Sequence, residues 1–78
     1  MSGRSVDVVC YSGSRGDEEP RAFVLDGERI DVVGINKRWM EPGVRCFEVR
    51  APDGNRYTLR HEEEVDAWTL VSVRRADA

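Results

Sequence analysis

Two glycine turns limit what this chain can fold into. Asp26-Gly27 lies between Ala22-Phe23-Val24-Leu25 and Arg29-Ile30-Asp31-Val32-Val33. An Asp-Gly pair flanked by β-prone residues fits a two-residue type I′ hairpin, in which both central positions take positive φ. Pro52-Asp53-Gly54-Asn55 is a second turn, joining Val44-Arg45-Cys46-Phe47-Glu48-Val49-Arg50 to Arg56-Tyr57-Thr58-Leu59-Arg60. In this second pair the side-chain period is two. Phe47, Val49, Tyr57 and Leu59 fall on one face, and Glu48, Arg50, Arg56, Thr58 and Arg60 on the other.

The remaining segments extend the same pattern. Val6-Asp7-Val8-Val9-Cys10-Tyr11 reads as a first strand and Ala67-Trp68-Thr69-Leu70-Val71-Ser72-Val73 as a last one. His61 to Asp66 holds helix-friendly residues but is too short for more than a turn. The sequence therefore predicts an all-β fold: a small antiparallel meander of five or six strands, with at most one short helical turn. A flat sheet would leave one face wet and both edges open. Curling it into a roll or small barrel buries Phe23, Leu25, Ile30, Val32, Phe47, Val49, Tyr57, Leu59, Trp68 and Leu70 together. Residues 1–78 make one domain. Composition predicts a mobile acidic loop over 12–20 and a disordered tail over 74–78.

Composition excludes several classes of function. The chain is 40% hydrophobic and 35% charged, which is globular. Its longest uncharged apolar run, Val8-Val9-Cys10-Tyr11, is far short of the ~20 residues a bilayer span needs. The first seven residues carry no signal-peptide pattern. The expectation is a cytoplasmic protein with no membrane partner. Cys10 and Cys46 stand in strand-like apolar contexts and read as buried, reduced thiols; whether they are neighbours in space is open. No Cys or His pair has zinc-site spacing.

Charge is unevenly distributed along the chain. The net charge is −3, yet residues 37–60 alone carry +3, from Lys37, Arg38, Arg45, Arg50, Arg56 and Arg60 against Glu41, Glu48 and Asp53. Residues 61–66 carry −4. The basic middle is either one face of a sheet or a set of cations paired across strands with acids. Arg50, Arg56 and Arg60 are candidate nucleic-acid contacts, since basic residues with an aromatic neighbour bind single strands. However, the alternation sends Tyr57 to the face opposite Arg56 and Arg60, so Tyr57 cannot stack bases beside them. A solvated face is the plainer reading.

Lys37-Arg38-Trp39-Met40-Glu41-Pro42-Gly43 is the least ordinary stretch, read here as a connection closed by a Pro-Gly turn. Lys37, Arg38 and Trp39 are candidate partner-binding residues, because Trp and Arg often anchor interfaces. The competing reading has Trp39 closing an open end of the barrel, with Arg38 across its ring or paired to Glu41.

In order, Phe23-Val24-Leu25-Asp26-Gly27-Glu28-Arg29-Ile30, Arg38-Trp39-Met40-Glu41-Pro42-Gly43, Phe47-Glu48-Val49, Asp53 to Leu59 and Trp68-Thr69-Leu70 form a recognisable series. It resembles an uncharacterised family of short bacterial β-rich domains of unknown function, marked by an Arg-Trp pair near a Pro-Gly turn. The resemblance covers about two-thirds of the chain. Some similar segments accompany translesion DNA polymerase-like proteins, which implies a DNA-repair accessory role. Only Arg38 and Trp39 carry over as marked positions, and the family implies no catalytic residues.

Catalytic patterns are missing. His61-Glu62-Glu63-Glu64-Val65 lacks the second His of a zincin, and one His without a nucleophile in register makes no triad. Gly13-Ser14-Arg15-Gly16 has no Lys-Ser/Thr after it and so is no phosphate loop. The expectation is a non-enzymatic interaction module without cofactor or metal, binding a protein partner, with a nucleic-acid accessory module as the alternative. A monomer and an edge-covering homodimer both remain open.

Overall fold

The computed structural model describes residues 3–10 and 19–76. These form seven strands: β1 (Arg4–Cys10), β2 (Pro20–Leu25), β3 (Glu28–Asp31), β4 (Gly34–Glu41), β5 (Val44–Arg50), β6 (Arg56–Glu62) and β7 (Ala67–Arg74). All pairings are antiparallel, in the order β3-β2-β1-β7-β6-β5-β4.

That order forces curvature. β3 and β4 occupy opposite ends of the ladder, yet only Val32 and Val33 separate them. In a flat sheet six strand spacings would hold the two ends ~29 Å apart. The chain from Asp31 to Gly34 reaches at most about 11 Å. The sheet therefore rolls into a half-barrel, and the Val32-Val33 corner ties its ends. Val32 N–H donates to the Arg21 carbonyl at 2.9 Å on one side, and Val33 N–H to the Arg50 carbonyl at 2.8 Å on the other. β1 makes a second corner, since Arg4–Val6 pair with β7 while Asp7–Cys10 pair with β2.

The two corners divide the sheet into layers that face each other, as strands that switch sheets commonly do. Phe23 on β2 meets Tyr57 on β6 edge-on, with centroids 5.0 Å apart. Phe47 and Trp68 pack at 5.7 Å on the longer layer. All ten residues expected in the core are there: Leu25, Ile30 and Val32 are partly buried, and the other seven are buried. Val6 and Ala51 join them. Asp26 and Gly27 take φ of 53° and 79°, as a type I′ turn requires.

Several expectations change. The sequence predicts five or six strands; the structure has seven, because residues 34–41 form a strand where a connection is expected. β4 ends at Pro42-Gly43, with Gly43 at φ 73°. It gives no alternating signal because it is an edge strand with little of either face covered, and a bulge between Ile35 and Lys37 breaks its period. No helical turn occurs among the described residues; Glu63 to Asp66 is a turn joining β6 to β7, with Asp66 at φ 53°. Most of the acidic loop expected over 12–20 lies outside the described residues, but Glu19 is half-buried and Pro20 starts β2. Arg74, expected in a disordered tail, ends β7, and Ala76 N–H donates to Asn55 Oδ1 at 2.9 Å; residues 77–78 lie outside the described residues.

Candidate functional site

Strand register decides which side chains share a face, because directly opposed residues point the same way. Across β4, β5 and β6, Trp39 opposes Cys46 and Cys46 opposes Arg60. Across β5, β6 and β7, Arg50 opposes Arg56 and Arg56 opposes Arg74. Lys37 opposes Glu48, which opposes Thr58, which opposes Ser72. All of these lie on the outer face, since Phe47, Val49, Tyr57 and Leu59 take the inner one. The two candidate sets of the sequence therefore merge: Lys37, Trp39, Arg50, Arg56 and Arg60 stand on one surface.

Arg38 does not join them. It opposes Phe47, on the inner side, and its guanidinium makes a two-pronged bond to Glu19, Nε–Oε2 at 2.6 Å and Nη2–Oε1 at 3.2 Å. The Arg38 hydrogen bond holds the Glu19 carboxyl below its ordinary value, and Glu19 raises Arg38 in turn. Arg38 thus neither crosses the Trp39 ring nor pairs with Glu41. Trp39 does not close the barrel either. It is 39% exposed and sits outside, opposite Cys46, which is 1% exposed. Burial, then the nearby Glu41 charge, push the Cys46 thiol up, partly offset by Arg60.

The remaining charges on this face fall into two groups. Arg60 Nη1 donates to Glu41 Oε1 at 3.0 Å, so that cation is neutralised. Arg50 Nη1 donates to the uncharged Asn36 Oδ1 at 2.9 Å. Gly34 makes room for it, since a Cβ there would lie 3.1 Å from Arg50 Nη2. Arg56, Arg74 and Lys37 have no acidic partner among the described residues. The nearby Asp53 is taken up within its own turn, accepting from Asn55 N–H at 2.9 Å. Glu48, although on this face, is buried.

Comparisons with protein-family models, with curated proteins and with solved structures give no match. Function therefore rests on geometry.

His61 lies elsewhere, on the inner side. Its ring stacks on Trp68 at 4.3 Å and 11°, Nε2 donates to Asp66 Oδ1 at 2.8 Å, and Nδ1 is buried without a partner among the described residues. It packs as part of the wall. No cluster of three or more His, Cys, Asp or Glu side chains among the described residues is placed to hold a metal ion. No helix among them is long and apolar enough to cross a membrane.

Arg74 is the residue that sequence reasoning misses. Counted in twos from Trp68 and Leu70, it falls on the inner face. A register shift beside Leu70 lets Ser72 oppose Thr58 and moves Arg74 outward, opposite Arg56. No sequence signal announces that bulge.

Proposed function

We propose that the protein is a non-enzymatic module that binds a nucleic acid through the outer face of β4 to β7. The observation that supports this is the row Arg50–Arg56–Arg74, three exposed cations directly opposed on adjacent strands with no acid among the described residues to neutralise them. Like charges placed opposite each other destabilise a sheet. A polyanion on the face turns that repulsion into attraction and releases counterions as it binds. Lys37 adds a further cation on the same surface with no acidic partner among the described residues. The lean toward a DNA-repair accessory role, drawn from the resemblance of residues 23–70 to a family of bacterial domains, points the same way.

The test is a titration with fluorescently labelled DNA, single- and double-stranded, at increasing salt. About four phosphate contacts give a log–log slope near −3. No salt-dependent affinity for either form at low ionic strength refutes the reading.

A protein partner is the second reading, and β4 favours it. Among the described residues this eight-residue strand pairs on one side only, so its other edge offers backbone groups for strand addition, beside Lys37, Trp39 and the 67%-exposed Met40.

A further inference from the structure

We infer that the nucleic acid taken by this face is a single strand, with one base stacked on Trp39 and its backbone over the Arg50–Arg56–Arg74 row. This rests on the reading of the face as a nucleic-acid surface and names the form it binds.

Trp39 carries the argument. A half-exposed indole on the sheet face that also carries the Arg row offers a π-surface, and only an unpaired base has a free face to lay on it. In a duplex the base faces are stacked on one another and the phosphates alone reach the protein. A surface built only for phosphates would have no use for Trp39. Its backbone position is fixed: Trp39 pairs with Cys46, in a strand held by Pro42-Gly43 at one end and the Val32-Val33 corner at the other.

Spacing gives the length of strand. Trp39 lies on β4 and Arg74 on β7, three strand spacings apart, or ~14 Å. The Trp39–Cys46–Arg60 row and the Arg50–Arg56–Arg74 row are four residues apart along β5 and β6, or ~13 Å. The diagonal is therefore ~19 Å, about six nucleotides at the stacked spacing of 3.4 Å. That is within the site sizes of single-strand-binding β modules.

The ground between is suited to a sugar–phosphate chain. Thr58 and Ser72 oppose each other there, with Lys37 in the same row. Of the acids bordering the path, Glu41 is bonded to Arg60, and Glu48, packed at its base, is set directly opposite Lys37. Asn36, a side chain suited to reading base edges, is already held by Arg50. Binding is accordingly tolerant of sequence.

The experiment uses oligo-dT of two to twelve nucleotides and a hairpin duplex of equal charge, followed by fluorescence anisotropy at about 50 and 200 mM salt. Affinity should rise with length to about six nucleotides and then level off, and the single strand should bind at least about tenfold tighter than the duplex. Trp39→Ala should weaken oligo-dT binding about 5- to 100-fold while leaving the salt slope unchanged, and Trp39→Phe should restore part of it. Arg56→Gln should flatten the slope by about 0.7. In the unsubstituted protein, oligo-dT should quench indole emission, a readout independent of how the variants fold. Equal or tighter duplex binding, or no loss of affinity in a folded Trp39→Ala variant, overturns the single-strand inference and leaves the nucleic-acid reading standing. Loss of all salt-dependent binding overturns both.

Discussion

Arg56 stands between Arg50 and Arg74, all three exposed, and replacing it with Gln removes both like-charge pairs at once while keeping much of the side-chain stem. Directly opposed side chains contribute about 0.2–1 kcal/mol each, with like charges on the unfavourable side. These groups are exposed and screened, so the lower end applies, and two pairs give a gain of about 0.5 kcal/mol. In a domain of this size that is about 2–4 °C in Tm. The assay is urea denaturation followed by tryptophan emission, with a matching thermal melt. The midpoint should rise while the m-value stays fixed, since the surface exposed on unfolding hardly changes. Salt provides the decisive control. The Debye length falls from about 30 Å at 0.01 M to about 3 Å at 1 M, so the gain should be present at low salt and gone at 1 M. Arg29, which donates to Asp31 at 3.0 Å, is the comparison: Arg29→Gln should bring no such gain. A salt-independent gain, or a loss of stability in Arg56→Gln, would refute the claim that the Arg row is a frustrated feature of the fold.

Two further predictions test the frame and the rim. Phe23→Ala removes a fully buried ring that joins the two layers through Tyr57, and should cost about 3–5 kcal/mol in urea denaturation, whereas Val33→Ala, at an exposed site, should cost under about 0.5 kcal/mol; similar losses in both would show that the layers are not held at Phe23. Because Arg38 depresses the Glu19 carboxyl, the stability this pair adds is fully present above the ordinary glutamate value of about 4.3 and is lost as pH falls through the lower, folded one. The stability difference between the unsubstituted protein and Glu19→Gln should therefore hold from pH 7 to about 5 and shrink as pH falls below the ordinary glutamate value; a difference that does not shrink at any acid pH where the protein stays folded would contradict the pairing.

The hairpins and the core were legible in the sequence for a physical reason. Asp26-Gly27 can satisfy its turn from local geometry alone, and the alternation over β5 and β6 follows from one buried and one wet face. The inner set of Phe47, Val49, Tyr57 and Leu59 is the set observed. What the sequence concealed depends on non-local pairing. β4 buries little, so selection for a core leaves no periodic mark on it. Its bulge near Asn36 and the register shift beside Leu70 each move side chains by one face. For that reason the sequence leaves Trp39 open between a partner-binding residue and a barrel plug, whereas it is found outside, and Arg74 reads as tail and is found in the Arg row.

The net charge of −3 argues against a nucleic-acid partner only if charge is averaged over the molecule, and the fold does not average it. β6 runs from Arg56, in the Arg row, to Glu62, where the acidic turn Glu63-Glu64-Val65-Asp66 begins. The outer face is therefore polarised along its strands, basic at the end where β5 and β6 are joined through Asp53-Gly54 and acidic at the end where β6 and β7 are joined. Charges separated by six residues of strand are ~20 Å apart, beyond the Debye length of about 8 Å at physiological salt, so the two ends do not cancel each other. A polyanion meeting this surface is drawn to the Arg row and turned away from the acidic turn. Trp39 lies between these ends, at the β4 edge, where the attraction of the row gives way to the repulsion of the turn. On the proposed reading, the acids that lower the overall charge would set where a bound strand stops.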